Sequence, residues 1–414
     1  PNSSSLERGR RPGNLEDYRD FLKLAQSFNC IDFISGYPVE PIDVHASVRH
    51  LVALKDMALM TDKPFHAYSL GLERIRDGIE IARIARGVSH EQLETEPSLF
   101  TIINTNSPLK MDVPMLQGVI EMARRNQIVC ITPFTLAGAM APVTVAGALV
   151  QQNAEALAGI ALTQLVRPGA PVIYGGFTSN VDMKSGAPAF GTPEYVKAVL
   201  IGGQIARHFK LPYRSSNVNA SNCVDAQSTY ETSMSLWAVI MGHANVVHHG
   251  LGWLEGGLSV SYEKLITDAE VLNMVAELCA GAQAGADEIG FDNALSHVNP
   301  SGHFFASPQT MERYDTAFYD PIVHDYANFG TWTDRGAEDV NVRATRYWQD
   351  ILEKDARPKV DGDKLAALQE FIAKRTEAGG EDDEPIKVWD GNGFVEQRKN
   401  TSPVEGLGTN QACR

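Results

Sequence analysis

Residues 244–257, ANVVHHGLGWLEGG, join a strand-like run to a glycine-rich segment. The paired valines favour a buried β-strand, and the glycines that follow end it. Two histidines, a tryptophan and a glutamate accompany those glycines. Loops after buried strands often carry binding and catalytic residues. The stretch therefore predicts a strand whose carboxyl end belongs to a functional site.

Six further segments look like strands and alternate with longer helical segments. They are CIDFISG from residue 30, FHAYS from 65, LFTIINTN from 99, IVCITPF from 128, PVIYGGF from 171 and LPYRSS from 211. Strands that alternate with helices in this way pair in parallel. The pattern predicts an α/β fold, specifically a (β/α)8 TIM barrel with additional C-terminal helices.

The eighth strand of such a barrel is missing from this pattern. We expect it either in an N-terminal part absent from this sequence, which does not begin with methionine, or in the poorly patterned residues 284–307. An open doubly wound sheet is the competing architecture. No G-x-G-x-x-G follows the first strand, which counts against that alternative.

The periodicity divides the chain into three regions. Residues 1–330 are predicted to form the barrel domain, with its N-terminal part missing. Residues 331–383 contain RATRYWQDILEKD and KLAALQEFIAKRTEAGG, which predict helices packed on the barrel. Residues 384–414 have little periodicity and predict an irregular tail.

Composition limits the partners and the compartment. The net charge of −15 argues against nucleic acid or an anionic membrane as the partner, since both require a basic surface. No apolar run approaches the roughly 18 residues of a membrane helix, and no signal region opens the chain. The five cysteines contain no CxxC pair and are expected to be reduced thiols. These features predict a cytoplasmic protein.

Residues at the predicted strand ends are the candidate site, because barrel enzymes place their chemistry there. Most are aromatic, and aromatic faces attract bulky cations such as quaternary ammonium groups. Among them there is a single cation, Arg214. The candidates are Tyr37, Tyr68, Asn104, Asn106, Phe134, Tyr174, Phe177, Arg214, His249, Trp253 and Glu255.

Two motifs suggest other chemistry only weakly. His248 and His249 are adjacent, so a strand would send them to opposite sides, where they cannot chelate one metal. No second ligand set converges, and we predict no metal site. Ser261 opens SYEK, which fits the S-x-x-K of serine acylases, but their partner motifs are absent. Ser261 is predicted to start a helix instead.

Three longer segments are distinctive: TDKPFHAYS from residue 61, LPYRSSNVNASNCVDAQSTYET from 211 and GWLEGGLSVSYEKLITDAEV from 252. They resemble the trimethylamine methyltransferase (MttB) family, in particular its pyrrolysine-lacking members. The resemblance extends from about residue 15 to about 350 and implies a (β/α)8 barrel. It does not include the region after about residue 384.

The resemblance implies methyl transfer from a quaternary amine, such as glycine betaine, to the Co(I) corrinoid (cobalamin) of a separate carrier protein. A quaternary ammonium already holds a neutral leaving group, which agrees with the absence of pyrrolysine. This chain would bind no cofactor itself: DVHASV, residues 43–48, lacks the glycine of the corrinoid-binding D-x-H-x-x-G loop. We also expect a homo-oligomer, a dimer or larger.

The resemblance to glycine betaine enzymes also suggests residue roles. Arg214 and His249 would bind the substrate carboxylate, with a bidentate grip from Arg214. No catalytic residue is certain; Glu255 is the candidate, either attracting the cation or fixing its loop. The aromatic residues expected to hold the trimethylammonium head are Trp253, Tyr68, Phe134, Tyr174 and Phe177.

Two alternatives stay open at this point. One is a metal-dependent TIM-barrel hydrolase or lyase, which the scarcity of inward carboxylates opposes. The other is a non-catalytic betaine-binding protein, which would bind the same ligand without transferring a methyl group.

Overall fold

The structure, a computed structural model, describes residues 1–354, 358, 360–379, 386–389 and 394–397. The strands of this part of the chain are β1 (Asn2–Ser5), β2 (Gly9–Arg11), β3 (Phe100–Ile103), β4 (Ile128–Ile131), β5 (Leu136–Ala137), β6 (Val172–Gly175), β7 (Ser179–Val181), β8 (Pro188–Ala189), β9 (Tyr213–Ser216), β10 (Val246–His248), β11 (Trp253–Leu254), β12 (Ser259–Ser261), β13 (Ile386–Trp389) and β14 (Phe394–Gln397).

The helices surround the strands. They are α1 (Leu15–Ser27), α2 (Ala46–Met60), α3 (Leu72–Arg86), α4 (His90–Thr95), α5 (Val113–Arg124), α6 (Val145–Val166), α7 (Pro193–His208), α8 (Ala226–Met241), α9 (Tyr262–Ala280), α10 (Ala286–Ile289), α11 (Pro308–Arg313), α12 (Phe329–Asp334), α13 (Val340–Glu353) and α14 (Gly362–Glu377). Single 3₁₀ turns lie at Glu255–Gly257 and Leu295–His297.

The central sheet is parallel and follows chain order. Its strands run β3-β4-β6-β9-β10. Single parallel bridges, Ile34 to Phe65 and His66 to Phe100, add the first two predicted strand segments at the β3 edge. The sheet is curled, as its two edges approach each other: Ser35 at this edge hydrogen-bonds to His248 of β10 at the opposite edge. The α/β prediction is thus confirmed as a curled parallel sheet with helices, whereas a complete eight-stranded barrel is not.

The expectation of an eighth strand in residues 284–307 is wrong. That segment contains α10, one 3₁₀ turn and Ser307, the N-cap of α11. Most of its residues are exposed, so it has neither the alternating nor the continuous burial that a sheet strand needs.

Side-chain caps fix where the helices begin after the strands. Asp112, Thr144, Thr192 and Asp225 each accept a hydrogen bond from a backbone N–H in the first turn of α5, α6, α7 and α8. Ser261 does the same for α9, as the sequence predicted. The caps satisfy otherwise unpaired N–H groups and hold the loops that follow the strands.

A second sheet supports the segment that follows β10. Its order is β11-β12-β1-β2, so the N-terminal hairpin pairs with residues 259–261. The helix α9, which follows β12, packs against α13. Glu263 of α9 is buried and accepts from Trp348 Nε1 at 3.0 Å and Thr345 Oγ1 at 2.9 Å of α13.

The two predicted C-terminal helices are present as α13 and α14, and α14 packs on α2 and α3. In the tail, β13 pairs antiparallel with β14. The other residues of the predicted tail lie outside the described residues. Among the described residues, no helix combines the length and the apolar character needed to span a membrane.

Gly203 tests the packing of α7 on α8. A Cβ added there would stand 2.1 Å from the backbone oxygen of Gly242, which cannot rotate away. We expect Gly203→Ala to lower the free energy of unfolding by about 1 to 3 kcal/mol, the usual cost of overpacking. The control is Gly362→Ala, where an added Cβ meets nothing within 4 Å. Urea unfolding of both variants makes the comparison, and equal stability would contradict the packing described here.

Candidate functional site

Arg214 is a guanidinium buried inside the curled sheet. It lies in β9, and its side chain is 2% exposed. The neighbouring Tyr213 points to the helices, where its hydroxyl donates to Val199 O of α7 at 3.1 Å. Because successive side chains of a strand alternate, Arg214 points to the interior. Gly175 is its register partner in β6 and occupies little space beside it.

His248 fixes one end of the guanidinium. Nη2 of Arg214 lies 2.6 Å from His248 Nδ1. Arginine can only donate, so Nδ1 accepts and Nε2 carries the proton, which it donates to Ser35 Oγ. Burial, His249 and the Arg214 charge lower the pKa of His248 well below its usual value, which keeps the ring neutral. His248 is therefore an acceptor for Arg214 and not a second cation.

Two other donors of Arg214 lack a partner. Nε and Nη1 are buried and make no hydrogen bond within the described residues. No carboxylate among those residues forms an ion pair with Arg214. The ring centroid of Phe177 lies 5.3 Å from Arg214 Cζ. Burial lowers the pKa of Arg214, yet a guanidinium stays charged in proteins. A buried charge with free donors is costly, so this geometry suits an anionic ligand.

Phe177 adjoins the guanidinium and packs with three other rings. We call Phe134, Phe177, Phe190 and Trp253 the aromatic cluster. Phe177 lies 5.1 Å from Phe134, 5.8 Å from Phe190 and 6.4 Å from Trp253, between ring centroids. Phe190 and Trp253 are 5.2 Å apart. Phe177 touches both Arg214 and the other rings, so an anion site and a cation-attracting surface are adjacent.

His249 joins the aromatic cluster by a backbone turn. The strand β10 ends at His248, and the backbone then turns at His249, whose φ is +56°. The ring stacks on Trp253 at 5.0 Å and lies 5.8 Å from Phe177. The expectation that the two histidines point to opposite sides is wrong, since their ring centroids are 3.9 Å apart. Nδ1 of His249 is buried without a partner in the described residues and can face a ligand.

Tyr68 and Tyr174 lie apart from the aromatic cluster. Tyr68 stacks on Tyr37 at 4.1 Å and lies 5.7 Å from His66, at the β3 side of the sheet. Tyr174 is the register partner of Tyr213 and points to the helices. Its hydroxyl lies 3.3 Å from side chains of α6. A direct substrate contact for Tyr174 does not fit this placement.

Glu255 is engaged by the N-terminal hairpin. Both of its carboxylate oxygens accept from Arg10 Nε at 2.9 Å. Its own N–H donates to Ser221 O at 2.9 Å, with φ at +53°. These bonds hold the carboxylate and the turn together, so the geometry agrees with the loop-fixing alternative for Glu255.

Two interior residues were not among the sequence candidates. Phe190 follows β8, a two-residue strand that no periodicity indicates. His66 sits inside the sheet and accepts from Ile102 N at 3.0 Å through Nε2. Across the described residues, no group of three or more His, Cys, Asp or Glu side chains converges in a way that could hold a metal ion.

Comparison with known proteins identifies the family. The trimethylamine methyltransferase (MTTB) family model matches residues 1–380. The chain belongs to this family. It is 37% identical over 378 residues to a glycine betaine methyltransferase of Desulfitobacterium hafniense, covering 91% of this chain and 78% of that protein.

Trimethylamine methyltransferases are more distant relatives of this MTTB-family chain. One of Methanosarcina mazei is 28% identical over 372 residues, covering 88% of this chain and 73% of that protein. One of Methanosarcina barkeri is 28% identical over 366 residues with the same coverage. The predicted family and the predicted methyltransferase class are both confirmed by these similarities.

The neutral histidines of this MTTB-family site predict a pH-dependent stability. Burial and the Arg214 charge lower the pKa of His66 from 6.5 to about 3. Between these values the unfolded chain binds a proton at His66 and the folded chain does not, so stability is lost as the pH falls through this window. We expect His66→Gln to reduce the slope of unfolding free energy against pH by about 1.4 kcal/mol per unit. Urea unfolding of both proteins from pH 6 to 4 measures this slope. An unchanged slope in the variant would contradict the lowered pKa of His66.

Proposed function

We propose that this protein transfers a methyl group from a carboxylate-bearing quaternary amine, with glycine betaine as the simplest candidate, to the Co(I) corrinoid of a separate carrier protein. One observation carries the proposal: the buried Arg214 has free donors and lies against the aromatic cluster. Glycine betaine carries a carboxylate one methylene away from a trimethylammonium group. An anion site next to a cation-attracting surface suits a ligand of this kind.

Different residues would bind the two ends of the ligand. Nε and Nη1 of Arg214 would bind the carboxylate in a bidentate manner, and His249 Nδ1 is a third available partner. Phe177, Trp253 and the other rings of the aromatic cluster would attract the trimethylammonium head. The similarity to a glycine betaine methyltransferase supports this division.

The chemistry requires little acid–base help from this chain. When the methyl–nitrogen bond breaks, nitrogen keeps the electron pair and leaves as a neutral tertiary amine, so no proton has to be supplied. A Co(I) corrinoid supplies the nucleophile that accepts the methyl group. The DVHASV segment fits a corrinoid carried elsewhere, because His45 caps α2 and its Nδ1 lies 2.9 Å from Ser47 Oγ.

Three further expectations, on the architecture, the regions of the chain and its assembly, belong to this proposal. We propose that the curled sheet belongs to a (β/α)8 barrel; the hydrogen bond between Ser35 and His248 supports closure of the sheet. We retain residues 1–330, 331–383 and 384–414 as its regions. An assembly of two or more copies is supported by Tyr230, Met234 and Trp237, which are exposed along one face of α8.

A turnover assay tests the proposed function. The protein, glycine betaine and reduced cobalamin as methyl acceptor should yield dimethylglycine, measured by mass spectrometry. Trimethylamine, a tertiary amine with no carboxylate, should give no dimethylamine. Tight binding of glycine betaine without dimethylglycine, also with a corrinoid carrier protein as acceptor, would favour the non-catalytic binding protein.

Arg214→Met separates recognition of the carboxylate from recognition of the head. Methionine keeps much of the volume but removes the charge-assisted contacts. We expect the binding free energy of glycine betaine to become less favourable by about 2 to 5 kcal/mol, the cost of removing one partner of a buried charge pair. Choline has the same head and no carboxylate, so its affinity should change little.

Calorimetry with both ligands makes the comparison, and Arg83→Met is the control. Arg83 lies on α3 and pairs with Glu80, outside the proposed site. Unchanged glycine betaine affinity in Arg214→Met would make Arg214 a structural residue.

A further inference from the structure

We propose that Asp268 is a positioning residue that holds the main chain at Gly252 and thereby places Trp253 in the site. This inference rests on the proposed function for its ligand readout. It concerns a buried polar network that lies behind the loop rather than residues that touch a substrate.

Asp268 lies on α9 and is 1% exposed. Its Oδ2 accepts from the backbone N–H of Gly252 at 2.9 Å. Its Oδ1 accepts from Thr232 Oγ1 at 3.0 Å and from Lys264 Nζ. One carboxylate therefore joins α8, α9 and the loop after β10.

A second anchor lies two residues earlier in the loop. Asn217 Nδ2 donates to Gly250 O at 3.0 Å. Gly252 has φ +82°, and an added Cβ would lie 2.9 Å from Val260 Cγ2, so the backbone is tightly placed. Trp253 follows directly and stacks on His249. The anchors thus determine where the tryptophan ring meets the aromatic cluster.

Burial raises the pKa of Asp268, and the ion pair with Lys264 opposes that rise and favours the ionised carboxylate. An ionised carboxylate accepts a stronger hydrogen bond from Gly252 N than a neutral group does. Lys264 also donates to Thr232 Oγ1 at 2.7 Å. The SYEK segment therefore acts through Lys264 and its partner Asp268, four residues later, while Ser261 caps the helix.

Two neutral double variants isolate the contact with Gly252. Lys264→Met/Asp268→Asn removes the charge pair but keeps an oxygen for Gly252 N and a donor for Thr232. Lys264→Met/Asp268→Leu removes the charge pair and the oxygen at similar volume. Glu263→Gln is the control for general destabilisation, because Glu263 is a buried carboxylate of the same helix that binds α13 instead.

Amide hydrogen exchange of the peptide containing Gly252 is the first readout and needs no ligand. We expect exchange near wild type for the Asn double variant and for Glu263→Gln, and exchange about tenfold faster or more for the Leu double variant, as for a buried donor left unpaired. Glycine betaine affinity, by calorimetry, should weaken by a similar factor only in the Leu double variant.

The outcomes separate this inference from the proposed function. Equal exchange in the two double variants would overturn the positioning role. Faster exchange with unchanged betaine affinity would overturn the link to Trp253. If wild type binds no betaine while exchange differs as expected, the proposed function fails and the anchoring of Gly252 stands. If the Leu double variant does not fold, Lys264→Met/Asp268→Ala replaces it, because alanine also removes the oxygen; exchange equal to that of the Asn double variant then overturns the role.

Discussion

An unpaired guanidinium in the interior is the constraint on which the site depends. Burying Arg214 removes its hydration, and nothing among the described carboxylates neutralises it. The fold offsets this cost only in part, through the neutral His248 and the face of Phe177. A ligand carboxylate would complete the interaction, and for this reason the proposed ligand has an anionic end.

The cationic end of the proposed ligand depends on the loop that follows β10. The turn at His249 directs its ring at Trp253, and the network around Asp268 holds the backbone just before that tryptophan. The rings supply attraction without a formal charge, so they can accept a quaternary head beside Arg214 with less repulsion than a second cation would meet. Placement of a few loop atoms therefore decides the chemistry of the site.

Sequence patterns predicted the sheet well because parallel strands, buried on both faces, read as short apolar runs between helices. They also found Arg214, the single cation at the strand ends. They failed where one residue of register matters: Tyr174 sits one position before Gly175 and so faces the helices. Periodicity cannot report the left-handed turn at His249, nor bring Phe190 from a two-residue strand into the cluster.

The most direct measurement is a crystal structure of the protein with glycine betaine bound. We predict that the ligand carboxylate lies within hydrogen-bond distance of Arg214 Nε and Nη1, about 2.7 to 2.9 Å for such charged pairs. The trimethylammonium group should lie against Phe177 and Trp253. A carboxylate bound elsewhere, with both Arg214 nitrogens contacting only protein or water, would contradict the role proposed for Arg214.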